Sequence, residues 1–165
     1  MVVTIRILPM DKISEFKGWT SQKVQDKFFL NMVPSRILNR EQGIYCFKTN
    51  KIKLDDKETY ILFKFDNHII ACARLDKTIS NELCNEYQGY YVLPPDTVFT
   101  FDKISLNDLN KHVFPQNSIK RFSQVCHKRT LSNIDSFLCN TKVVKNKKGV
   151  ELANIIPNHN FQCKP

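Results

Sequence analysis

The sequence predicts an α+β fold: a small curled, mostly antiparallel β pseudobarrel with an early helix and short C-terminal helices. Three observations carry this expectation. The stretch 43–75 reads as three strands, 43–48, 58–65 and 68–75, and Asp66-Asn67 joins the last two as a turn that accepts positive φ. Around that turn, Tyr60, Ile61, Leu62, Phe63 and Phe65, then Ile69, Ile70, Ala71, Cys72 and Ala73, suit a pleated, half-buried surface. The element order, β–α–β–β–β–β–β and then three short helices, lacks the βαβ alternation of a doubly wound parallel sheet.

In chain order, strand 2–8 alternates Val3, Ile5 and Ile7 with Thr4 and Arg6, and Pro9 ends it. The linker 12–19 holds the only tryptophan, Trp19. A helix starts with Thr20 or Ser21 as N-cap and buries Val24, Phe28, Phe29 and Met32, which fall at helical spacing; Pro34 stops it. The polar stretch 35–42 carries Arg36 and Arg40. Strand 68–75 is apolar on both faces, which places it inside the sheet rather than at an edge. The polar run 76–88 reads as a surface loop. Strands 89–93 and 97–101 follow, separated by the turn Pro94-Pro95-Asp96, with Val98 facing away from Phe99 and Phe101.

Ser105 and Asp108 form a capping box for a short helix that ends at Pro115. A further helix from Asn117 or Ser118 turns Ile119, Phe122 and Val125 toward the core, and Lys120, Arg121, Lys128 and Arg129 outward. Ser132 and Asp135 cap a last helix through Cys139; residues 141–148 are basic and Gly149 breaks that run. The whole, 1–165, reads as a single domain with a core over 2–105 and a basic helical part over 105–165.

An apolar fraction of 42% with 12 phenylalanines excludes a disordered chain. No run of 18 apolar residues suggests a membrane span, and the N-terminus lacks signal-peptide character, so the expected compartment is cytoplasmic. Residues 118–165 hold nine Lys+Arg against two acids, a net +7 out of a total of +9. A one-ended basic excess suggests a polyanion partner, most often nucleic acid; a solvated basic tail is the other reading. The six cysteines include no C-x-x-C pair. Cys126, His127, Cys139 and His159 match no compact zinc knuckle, and Cys46 and Cys72 read as core residues. No metal or other cofactor is expected.

No hydrolase, Walker, zincin or deaminase motif is present, and four glycines provide no phosphate-cradling loop. His68 flanks a turn, and Asp55, Asp56 and Glu58 read as a solvated loop ahead of a nuclease metal cluster. No catalytic residue is therefore expected. The aromatics Trp19, Tyr45, Phe47, Tyr90 and Tyr91 lie at strand edges or in a linker, where they could wall a base pocket or belong to the core. Trp19 has no place in an apolar stripe and is the strongest candidate.

A strand, a helix with a nearby tryptophan, and the segments GIYCFKTN, YILFKFDNHIIACARL and YQGYYVLPPDTVFTFDKISLNDL resemble the PUA-like superfamily, which includes the EVE, ASCH and YTH domains. The resemblance covers about residues 2–105 and rests on element order and apolar pattern. It implies a module that binds a modified, flipped base, as at the N-terminus of McrB-related restriction proteins, with Trp19 and Tyr45 or Phe47 as cage walls. The plant B-three type of pseudobarrel, found in LlaJI-type restriction systems, is also similar, and implies major-groove reading without base flipping.

The expected partner is double-stranded DNA, ahead of RNA, with no membrane role and with further domains or a nuclease subunit in the native protein. Phosphate contacts are expected from Lys120, Arg121, Lys128, Arg129, Lys142, Lys145, Lys147 and Lys148, with Arg36 and Arg40 adding base or phosphate contacts. A protein-interaction module without nucleic acid, and a nuclease using Asp55, Asp56 and Glu58, are the readings from other classes.

Overall fold

A computed structural model describes residues 2–49, 51–84, 87–122, 126–139, 141 and 143–145. Strand β1 (Val3–Pro9) leads to helix α1, which has an α-helical first turn (Ser21–Lys23), a π-helical body (Val24–Met32) and an α-helical last turn (Val33–Ser35). Short strands β2 (Ile37–Leu38) and β3 (Glu41–Gln42) precede β4 (Ile44–Phe47), β5 (Thr59–Phe65) and β6 (His68–Leu75). Next come β7 (Lys77–Cys84), β8 (Tyr87–Val92), β9 (Phe99–Ser105) and helix α2 (Leu106–His112). The last described elements are β10 (His127–Leu131), helix α3 (Asp135–Leu138) and β11 (Val143–Lys145).

The strands build a six-stranded sheet in the order β10-β1-β5-β6-β9-β11, a three-stranded sheet β4-β8-β7 and the small β2-β3 hairpin. Among the described strands only β1 and β5 run parallel, and every other pair is antiparallel. The fold is therefore α+β and mostly antiparallel. Its sheets are open and do not close into a barrel.

The β5–β6 hairpin sits at the centre of the large sheet. Asp66 and Asn67 take φ of 50° and 59° in its turn, the conformation that matches the right-handed twist of the flanking strands. Strand β6 lies between β5 and β9, as its two apolar faces require.

Alternation along β5 sends Ile61, Phe63 and Phe65 to one face and Tyr60 and Leu62 to the other. The first face packs with Phe28 and Phe29 of α1 and with Tyr45, Tyr91 and Leu93 of the small sheet and its exit. The second packs with Val3, Ile5 and Ile7, and is covered by Leu109, Phe114, Ile119 and Phe137. Edge-on and tilted ring contacts, Phe28 to Phe29 at 5.1 Å and Phe29 to Phe63 at 4.7 Å, tie α1 to the sheet.

Helix α1 starts where the sequence places it, with Thr20 Oγ1 accepting from the Lys23 N–H at 3.1 Å. Its buried stripe differs. Met32 is 38% exposed and Val33 is buried instead. The winding explains this: the Val33 N–H donates to the Phe28 carbonyl, an i→i+5 bond, so Val33 occupies the place under Phe28 that Met32 would take in an α-helix. Pro34 sits inside the last turn, and the helix ends one residue later.

Three further expectations are corrected. The stretch 76–88, expected as a surface loop, is strand over 77–84 and 87–88, where β7 pairs with β8 as a polar edge strand. The described residues of 117–131 form no long helix. Segment 117–122 is irregular, and β10 lies antiparallel on β1, with Ile5 opposite Arg129, filling the hydrogen-bonding edge that β1 would otherwise leave open. For α3, Asn133 rather than Ser132 supplies the cap, its Oδ1 accepting from the Ser136 N–H at 2.8 Å. Strands β10 and β11, from the expected basic helical part, lie in the main sheet. Val125 lies outside the described residues.

Candidate nucleic-acid interface

Lys64 continues the β5 alternation onto the face of Tyr60 and Leu62. It is only 9% exposed, and its Nζ lies 5.9 Å from the centroid of the Phe122 ring. Among the described residues it has no ion pair. Burial alone lowers its pKa, since a desolvated ammonium without a counter-charge favours the neutral form.

Next to Phe122 lie two basic residues, Lys64 against its ring and Arg121 before it in the chain. The His127 ring is hydrogen-bonded to the backbone of Arg121; burial first, then the positive charges of Arg129 and Lys64, lower its pKa. Arg129 donates from Nε to Asn117 O at 2.9 Å, from Nη1 to Lys128 O at 2.8 Å and from Nη2 to Ser118 O at 3.3 Å. It thereby staples 117–118 to β10 using neutral carbonyls, and among the described residues no carboxylate pairs with it. Lys120 and Arg121 are exposed on this segment. Lys64 and Arg129 thus both reach His127, whose ring meets the Arg121 backbone, and Lys120 is next to Arg121 in the chain.

Lys128 does not join them. It follows the opposite face of β10 and pairs with Asp55 at 3.2 Å. Asp55 also accepts from the Lys57 N–H at 2.9 Å and Thr4 Oγ1 at 3.0 Å. The Lys57 backbone bond is the largest cause holding its pKa down, to about 2, with Lys128 and Thr4 adding. A carboxylate with a depressed native pKa stabilises the fold above its ordinary value of 3.8 and loses that contribution as pH falls toward about 2. Acid titration of unfolding should therefore be flatter for Asp55→Asn than for the wild type between those two pH values, while the two curves run parallel above pH 5 or so.

Two grooves adjoin at the β5–β6 turn. One, of about 580 Å³, is lined by Met10, Lys12, Tyr45, Phe47, Lys48 and Lys64 among others. The second, of about 610 Å³, is lined by Trp19, Thr20, Ser21, Gln25, Asp102 and Lys103 among others. Lys12 and Asp66, ion-paired at 2.8 Å, line both. Each volume falls in the range that accommodates a nucleotide-sized ligand.

The five aromatics expected in one pocket are divided. Trp19 is half-buried at the second groove, edge-on to Phe16 at 5.5 Å, with Lys23 Nζ 4.5 Å from its centroid. Tyr45 and Phe47 line the first groove but are largely buried, each stacked on Tyr91, at 6.0 and 4.6 Å. Tyr91 lies within the core, its hydroxyl accepting from the Ile52 N–H at 3.0 Å. Tyr90 points to the other face of β8, as strand alternation dictates, and packs with Ile44, Cys46 and Val92.

The other cations are scattered. Arg36 caps the end of α1 with its guanidinium carbon 5.2 Å from the Phe28 centroid, and burial lowers its pKa. Arg40 is exposed in the β2–β3 turn at φ 66°. Lys145 pairs with Phe99 in β11; Lys142, Lys147 and Lys148 lie outside the described residues.

Asp55, Asp56 and Glu58 form no common site: Asp56 faces Lys57 at 3.7 Å, and Glu58 accepts from Tyr60 Oη at 3.0 Å. Among the described residues no group of three His, Cys, Asp or Glu could hold a metal ion; His159 is outside them. Among the described residues, too, no helix is long and apolar enough to cross a membrane.

Sequence reasoning missed Lys64 and Gln25. Both carried a signal: each is a single polar residue set in an apolar pattern, Lys64 in YILFKF and Gln25 beside Val24 on the buried side of α1. A buried polar residue needs a partner, from the protein or from a ligand. No protein-family model matches the chain, and no curated protein matches it either.

Proposed function

We propose that the chain is a DNA-binding module that holds phosphates at the patch around Phe122 and accepts an extruded base in a groove at the β5–β6 turn. The observation that carries this reading is Lys64, a buried cation beside Phe122 without an acid partner among the described residues, whose charge, like that of Arg129, reaches His127. Withdrawing a cation from water without a counter-charge costs free energy, and a bound phosphate offsets that cost. The phosphodiester backbone offers such anions at regular spacing whatever the sequence, and base contacts then add selectivity.

The module does no chemistry of its own in this reading. It targets a restriction or defence protein of the cytoplasm, whose nuclease or motor lies elsewhere. The resemblance to PUA-like readers supports the choice of a modified base as the selected feature.

Fluorescence anisotropy of unmodified, methylated and hydroxymethylated duplexes tests it. Binding should be retained by wild type and weakened about equally on all three duplexes by Arg121→Ala, because a phosphate contact carries no sequence information. Preference for one modified duplex would support the base-flipping form. Binding to no duplex, even at low salt, would refute the reading and leave a protein-interaction module in its place.

A further inference from the structure

We infer that Gln25 reads the base: its side-chain carbonyl accepts a hydrogen bond from the exocyclic amino group of an adenine or cytosine turned into the groove beside Trp19. This rests on the DNA-binding reading and specifies which groove and which base chemistry it uses.

The orientation of the Gln25 amide is fixed by the sheet. Pairing between β6 and β9 shifts between Ile69 and Ala71, because Ile69 faces Ile104 while Ala71 faces Thr100. That irregularity leaves Ile70 and Phe101 without partners in the β6–β9 ladder. Gln25 Nε2 donates to both, at 2.9 and 2.6 Å. Both amide hydrogens are thereby used, and Oε1, an acceptor with two lone pairs, has no protein partner among the described residues. Gln25 is 8% exposed and lines the groove of about 610 Å³.

The rest of the groove suits a nucleotide. Trp19 offers a half-exposed ring for stacking, and Lys103, exposed near the end of β9, offers a cation for the adjoining phosphate. An acceptor held in a nearly buried position favours an N–H donor and disfavours a carbonyl such as thymine O4 or guanine O6, which would leave two acceptors face to face. Adenine and cytosine carry the donor at the matching edge position; thymine and guanine carry the carbonyl there.

The test changes the ligand, because Gln25→Leu would orphan two sheet carbonyls and could unfold the protein. Trp19 is the only tryptophan in the chain, so its emission reports directly on this groove. Duplexes carrying one unpaired adenine should quench Trp19 and bind about tenfold more tightly than duplexes carrying purine, which is adenine without its amino group, at the same place. Trp19→Leu should lower affinity for the unpaired-adenine duplex by a larger factor than for the fully paired duplex. Equal affinity for adenine and purine, or a Trp19 emission unaffected by either, would overturn the role of Gln25 while leaving phosphate binding intact. Failure of every duplex to bind would overturn both.

Discussion

Gly43→Ala is expected to abolish cooperative folding or to lower the urea midpoint severely. Gly43 links the β2–β3 hairpin to β4 at φ 84°, a region that costs a residue with a side chain about 1–2 kcal/mol. The larger penalty is steric. A Cβ there would lie 1.8 Å from Leu93 O and 2.8 Å from Leu93 C, backbone atoms that cannot rotate away. Gly43 also accepts from the Leu93 N–H at 2.7 Å and donates to Arg36 O at 3.0 Å, so relieving the clash breaks the anchor of β4 on β8 and the exit of α1 together. The combined cost should exceed about 4 kcal/mol, comparable to the whole stability of many domains. Gly18→Ala is the control: its φ is 79°, yet no atom lies within 4 Å of the added Cβ, so only the backbone term of about 1–2 kcal/mol remains. Equal urea midpoints for Gly43→Ala and wild type would contradict this packing.

Lys64→Met should do two opposite things, weakening DNA binding about tenfold while leaving the fold as stable as wild type or more so. Methionine retains the length of the apolar stem over Phe122 and removes a desolvated charge that the described residues do not pair. The pH dependence gives an independent signature. The native pKa of Lys64 lies below the ordinary 10.5, so the folded protein binds fewer protons than the unfolded chain in the window below that value. Wild-type stability should therefore rise relative to Lys64→Met as pH increases through that window. A Lys64→Met protein that loses stability and binds DNA normally would show the lysine to be a packing residue. A buried group that costs stability and confers binding is what a functional site imposes on an otherwise consistent fold.

Where local chemistry decides the structure, the sequence is legible. The β5–β6 hairpin follows from Asp66-Asn67 and two apolar runs, and the start of α1 from the Thr20 side chain. The capping Ser105 and the burial of Cys46 and Cys72 are of the same kind. Where a distant partner decides, it is not. Strands β7 and β10 are polar, and become strands because β8 and β1 offer them an edge. The spacing of Ile119 and Phe122 mimics a helix although only their burial is real. Nothing in the residue types of 24–32 announces an i→i+5 winding, so Met32 and Val33 exchange places.

The candidate site was half visible for the same reason. The charge gradient points to residues 120–129, but the antiparallel register on β1 sends Lys128 to Asp55 and Arg129 to the backbone of 117–118. Pairing of β4 with β8 buries Tyr45, Phe47 and Tyr91 as a stack and turns Tyr90 away.

Duplex binding by the full chain across a salt series, from about 50 to 200 mM, tests the central claim most directly. Affinity should fall steeply, and Lys64→Met combined with Arg121→Ala should reduce the log–log slope by about 1.8, or about 0.9 for each phosphate no longer neutralised. Binding that is indifferent to salt, or a slope unchanged in the double variant, would mean that the patch around Phe122 holds no phosphate.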